Sequence, residues 1–294
     1  KLDFSKTSIH RLSIDLTGVE ELRLNDDLEE LVLLGNMSDN CQILVKDHGA
    51  SLRLQLDSSL PKALGLKDLG AIHCSNILEI DFAQILNNYP NLRELRLWGK
   101  PGNILNFHKL SEFKELVMFS TVDLFGFTAE DIPKPEDLPQ LSMFWMSSLP
   151  EEAAKVAKKY YKKQQDKGLN LWITKPRKAE WLAQNLDNPF RSWDGQENIS
   201  TANAKKAASL YRKTRASVRK LLENPNEDTM EHIEVLIREY TQGFNKMDKR
   251  NCFIETIERE DIYDALIEIL DLLPEDLGMD KEKFIEIFDE LKDF

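Results

Sequence analysis

The strongest constraint on this chain lies between Asn91 and Phe119. Leu92, Leu95 and Leu97 are spaced Leu-x-x-Leu-x-Leu there, and Phe113, Leu116 and Met118 repeat the spacing. Leu138, Leu141 and Met143 repeat it again, and Leu28, Leu31, Leu33 and Asn36 carry the fuller form Leu-x-x-Leu-x-Leu-x-x-Asn. In Leu-x-Leu the two side chains point to the same side of a strand, because strand side chains alternate, and the leucine three positions upstream turns in from the preceding bend. One such unit cannot bury its own apolar side, whereas several stacked side by side can. The spacing therefore predicts a stack of strand-and-turn units; ordinary strands of an α/β sheet are the alternative.

This pattern resembles the leucine-rich repeat family over about the first 175 residues. The resemblance implies an α/β solenoid with parallel strands and short helices on its convex side. Between Ile9 and Leu60 the apolar runs are shorter: Ile9, Leu12, Ile14; Val19, Leu22, Leu24; Ile43, Val45; Leu52, Leu54, Leu56. Gly18, Asn25, Asn36, Asp47 and Gly49 punctuate them at roughly ten-residue intervals, too short to hold a helix between strands. That reads as an N-terminal β-meander, partly antiparallel, capping the open end of the solenoid. From Cys74 the units lengthen, with central leucines at Leu78, Leu95, Leu116, Leu141 and Leu171. Short helices are expected over Phe82 to Tyr89 and Ala179 to Leu186, a longer one over Glu151 to Asp166, and a last strand at Leu169 to Ile173.

Asn188-Pro189-Phe190-Arg191-Ser192-Trp193-Asp194-Gly195 breaks the pattern as an ordered connector. The expected organisation is a solenoid with its β cap over 1–187, a connector over 188–199 and an α-helical domain over 200–294. Ser200 or Thr201 caps a helix running to about Glu223. Met230, Ile233, Ile237, Tyr240, Phe244 and Met247 mark a second helix by their three- and four-residue spacing. A third spans Glu258 to Leu273 and a fourth, capped by Asp280, runs to Leu291. The stretches Asn188 to Gly195, Ala202 to Ala208 and Phe253 to Leu266 resemble the C-terminal part of bacterial leucine-rich-repeat proteins catalogued as gliding motility proteins. That resemblance implies no reaction and no residue roles.

With 294 residues and a net charge of −12, the chain has the composition of a well-cored protein. No window approaches the roughly 20 apolar residues of a membrane span. Lys1 to His10 has no signal-peptide core, and the absence of an initiating Met points to a trimmed start. Cys41, Cys74 and Cys252 are odd in number and far apart, which argues against a disulfide framework and for a reducing cytoplasm.

Repeat geometry predicts a concave protein-binding surface. Trp98, Phe119 and Phe144 would form its aromatic column, with Arg96 and Trp172 in the next and Glu94 and Glu115 in a third. Solvent-facing aromatics rimmed by charge are the composition of a binding hot spot. The alternative is that another part of the chain folds over these rings and makes them core. The expected function is non-catalytic: binding a protein partner, in a scaffolding, regulatory or immunity-like role, with no cofactor. His10, His48, His73, His108 and His232 are scattered, and no Gly-x-Ser-x-Gly, phosphate-binding loop or Cys-x-x-Cys is present. An unrecognised catalytic site is one alternative. Nucleic-acid binding is another, through Lys155, Lys158, Lys159, Lys162, Lys163 and Lys167 and through Lys205, Lys206, Arg212, Lys213, Arg215, Arg219 and Lys220. Against it, the chain is acidic, and the segment from Glu255 to Asp293 is the nearer partner for that basic helix. Glu255, Glu258, Glu260, Asp261 and Asp264 crowd one helix start without the spacing of a calcium loop, and negative charge is favourable there in itself.

Overall fold

The structure, a computed structural model, describes residues 1–35, 40–58, 60, 65–249, 252–274 and 281–294. Asn36 of the first repeat and the Asp280 cap lie outside the described residues. The chain forms two compact units, Lys1–Leu182 and Ala183–Phe294.

The first unit is α/β with parallel sheets. Its strands are β1 (Leu2–Asp3), β2 (Arg11–Asp15), β3 (Glu21–Arg23), β4 (Glu30–Leu34), β5 (Gln42–Leu44), β6 (Arg53–Asp57), β7 (Ala71–Asp81), β8 (Glu94–Leu105), β9 (Met118–Phe125), β10 (Met143–Pro150) and β11 (Asn170–Arg177). One sheet has the order β1-β3-β5 and the other β2-β4-β6-β7-β8-β9-β10-β11. Every strand pairing among the described residues is parallel.

The N-terminal segment is therefore not a meander. Its runs recur too closely for helical crossovers, but alternate runs go to different sheets. A strand of the small sheet takes the place of the helix that normally carries the chain back between parallel neighbours. Neighbouring strands of the large sheet therefore lie about two apolar runs apart in the N-terminal segment. Arg11, Glu30, Arg53, Ala71, Glu94, Met118, Met143 and Asn170 stand side by side, 18 to 27 residues apart along the chain.

The inner column of the large sheet runs Leu12, Leu31, Leu54, Ile72, Leu95, Phe119, Phe144 and Leu171. Helices α1 (Phe82–Asn88) and α2 (Glu151–Gln165) pack on this side. Phe82 of α1 lies 6.2 Å from Phe119, and Tyr161 of α2 lies 4.6 Å from Phe144, between ring centres. Asp81 starts α1 by accepting the Ala83 N–H, and Glu151 and Glu152 complement the N-terminal dipole of α2.

Helix α3 (Ala179–Asn185) spans the division between the units. The second unit then folds as α4 (Thr201–Glu223), α5 (Thr229–Asp248), α6 (Thr256–Leu270) and α7 (Lys281–Leu291). Ser200 caps α4 by accepting the Asn203 N–H. Glu255 and Glu258 cap α6 reciprocally, which gives that acidic cluster a structural role. Part of the segment read as a connector is core: Phe190 and Trp193 are buried, with ring centres 5.4 Å and 6.3 Å from Phe244.

Candidate protein-binding face

The alternation that buries Phe119 turns the neighbouring positions outward. The central outward column is Ser13, Val32, Gln55, His73, Arg96, Ser120, Trp145 and Trp172. Beside it run Arg11, Glu30, Arg53, Ala71, Glu94, Met118, Met143 and Asn170 on one flank, and Trp98, Val122, Ser147 and Thr174 on the other.

The two ends of this face differ. Toward β2 it is charged and self-compensating, with Arg11 3.3 Å from Glu30, Arg53 3.6 Å from Glu94, and Arg96 Nε 2.6 Å from Glu94 Oε1. Toward β11 it carries Met118, Met143, Trp145 and Trp172. The two indoles meet edge to face with ring centres 6.1 Å apart, and Trp145 Nε1 donates to Asn170 Oδ1 at 3.1 Å. Trp172 is 51% exposed and Trp98 40%. Trp98 meets the His73 ring edge to face at 4.3 Å.

Burial lowers the His73 pKa below its ordinary 6.5, and the Arg96 charge lowers it further against an opposing pull from Glu94. The unfolded chain therefore takes this proton more readily than the folded one. The stability His73 contributes is present above pH 6.5 and declines as pH falls through 6.5 toward its folded value. A proton NMR titration is expected to place the His73 midpoint below 6.5, and a midpoint at or above it would contradict this environment.

Of the residues expected at the site, Trp98, Trp172, Arg96 and Glu94 share the open face. Phe119 and Phe144 do not: both are 0% exposed. Glu115 is exposed but precedes β9, outside the three columns. Leu78, read as a central leucine, is 66% exposed, and its place is taken by Ile72.

Phe119 and Phe144 face inward because the strands run in a different frame from the expected one. The true unit is Leu116-x-x-Phe119-x-Thr121 followed by Leu141-x-x-Phe144-x-Met146, three residues later than Phe113-x-x-Leu116-x-Met118. An odd shift exchanges the faces of a strand. A buried threonine at Thr121 where an apolar residue was expected hid the frame. The same shift concealed Met118, Met143 and Trp145. Aligning Leu171 with Phe144 would have brought Trp145 beside Trp172.

The lysines of α2 cover its exposed side, Lys155 being held by Glu151 at 3.1 Å and Glu152 at 2.7 Å. The other basic stretch lies on α4, in the second unit. There the Tyr211 hydroxyl donates to Glu268 of the acidic C-terminal segment at 2.9 Å.

All three cysteines are free, and burial pushes the Cys74 thiol up to about 12. Among the described residues no group of three or more His, Cys, Asp or Glu side chains is placed to hold a metal ion. No described helix is long and apolar enough to cross a membrane. No family model, curated protein or solved structure matches this chain.

Proposed function

We propose that the first unit is a leucine-rich-repeat solenoid whose open sheet face binds another protein, without catalysis and with no cofactor. The 18-to-27-residue recurrence supports the repeat reading, since such repeats run about 20–29 residues. So does the order of the large sheet, in which each strand lies beside the one that begins the next unit.

The observation that carries the binding reading is the Trp145–Trp172 pair on the open sheet face, Trp172 exposed and Trp145 half-buried, flanked by Met143, Met118 and, across the face, Trp98. Tryptophan supplies large contact area at little conformational cost, and methionine adapts to the shape of what it meets. The ion-paired end of the face supplies a polar rim that favours a matching partner and disfavours others. A regulatory or immunity-like role, covering a partner's working surface, is the sharper form of this proposal.

Trp172→Ala is expected to weaken partner binding by about 2 kcal/mol, roughly 30-fold. It should lower folding stability by only about 0.5–1.5 kcal/mol, the worth of its edge-to-face contact with Trp145. Calorimetric titration of a protein partner isolated on the full chain, beside a denaturation curve, reads both. Unchanged affinity in Trp172→Ala and Trp145→Ala would remove the proposal.

A further inference from the structure

At the N-terminal ends of β6 to β9 a cleft of about 480 Å³ opens beside Met118, lined by Glu29, Ser51, Arg53, Arg93, Glu94 and the apolar side chains around them. Its backbone groups are already occupied. The N–H groups of Arg93 and Glu94 go to the Gly70 carbonyl at 2.9 and 3.1 Å, and those of Val117 and Met118 go to the Arg93 carbonyl at 2.8 and 3.0 Å. Gly70 is required there, because a Cβ would collide with the Ala50 carbonyl oxygen.

The side chains are less committed. The Arg93 guanidinium and the Ser51 hydroxyl are exposed and make no hydrogen bond or ion pair with the described residues. Arg53 has only the 3.6 Å contact to Glu94, whose other oxygen is held by Arg96 at 2.6 Å. Glu29 points to solvent, 3.9 Å from His10.

We propose that this cleft binds an organic monocarboxylate, with the carboxylate between Arg93 and Arg53 and the Ser51 hydroxyl donating to it. A planar guanidinium matches a carboxylate with two parallel hydrogen bonds. Glu29 and Glu94 keep the local charge too low for a dianion such as phosphate. Leu52, Ala71, Val117 and Met118 accept the carbon skeleton that carries the acid. The site borders the flank of the docking face, sharing Arg53, Glu94 and Met118 with it, and does not require the indole pair.

Methyl NMR of the full chain with N-acetyl-leucine and its amide tests this. The acid is expected to shift Ala71, Val117 and Met118 saturably, with the amide weaker by about tenfold or more, the worth of a charge-assisted hydrogen bond. Arg93→Gln should bring the acid down to the amide's affinity, and Arg93→Lys should retain part of the difference. Trp172→Ala should leave acid binding unchanged, which separates this site from the indole pair. A tripeptide ending in leucine that binds more tightly than N-acetyl-leucine makes a polypeptide terminus the source; equal affinity makes it a free small acid. Equal binding of acid and amide, an unaffected Arg93→Gln, absence of saturable binding, or shifts confined to the α2 methyls of Ala153, Val156 and Ala157 would overturn the proposal.

Discussion

Phe119→Ala is expected to cost about 3–5 kcal/mol of stability, the usual range for removing a fully buried phenylalanine. Phe119 sits at the centre of the first unit's aromatic core, with ring centres 5.7 Å from Phe144, 6.1 Å from Phe107 and 6.2 Å from Phe82. Truncation leaves a cavity between α1 and the sheet that these rings cannot fill without leaving their rotamers. Phe144→Ala is expected to cost a similar amount. The double variant should lose less than the sum, because the two rings share one cavity. Urea denaturation followed by strand-sensitive circular dichroism measures the effect. A change below about 0.5 kcal/mol, the behaviour of a surface residue, would contradict the assigned frame of β9.

The second large effect belongs to Trp193, in the segment that precedes the helices of the second unit. Its ring lies 4.7 Å from Phe190 and 5.7 Å from Phe253, and its Nε1 donates to Asp261 at 2.8 Å. Trp193→Ala is expected to destabilise the helical unit by about 3–5 kcal/mol.

Trp193→Phe separates packing from the hydrogen bond and should cost about 1–3 kcal/mol, the price of an unsatisfied buried acceptor. Its cost should also depend on pH. Burial raises the Asp261 pKa above 3.8, and the tryptophan hydrogen bond partly offsets that. The folded state therefore holds this proton more firmly than the unfolded state. The resulting stability is greatest at low pH and is lost as pH rises through the interval above 3.8. Removing the donor raises the folded pKa further, so the penalty of Trp193→Phe should be small near pH 4 and larger near neutrality. Paired denaturation curves at the two pH values check this. A penalty independent of pH would mean that the carboxylate has other support.

The helices were legible because their signals are local. Ser200 before α4, the three- and four-residue stripe from Ile233 to Phe244, and the prolines at Pro189 and Pro225 act over a few residues. The strands were legible as strands, since Leu95 and Leu97 can serve nothing else at that spacing. Which face of β9 and β10 is inward is set instead by neighbouring strands. A polar Thr121 in an apolar column, with a spare apolar residue at Phe113 to offer a competing match, tipped the local pattern to the wrong phase. The N-terminal sheets were obscured for a related reason: ten-residue spacing fits a meander and a two-sheet parallel stack equally well, and only pairing between distant runs distinguishes them. Of the expected site, Trp98, Trp172, Arg96 and Glu94 lie on the open face because the local leucine spacing gives the true phase of β8 and β11.

Site-specific photo-crosslinking tests the docking face most directly. A photoreactive phenylalanine analogue would replace Trp172 or Trp145 on the open face, and Lys159 on the exposed side of α2, in otherwise identical chains. The binding-face account predicts one crosslinked protein species from positions 172 and 145 and none from position 159. The same species from all three positions, or a species from Lys159 alone, would contradict it.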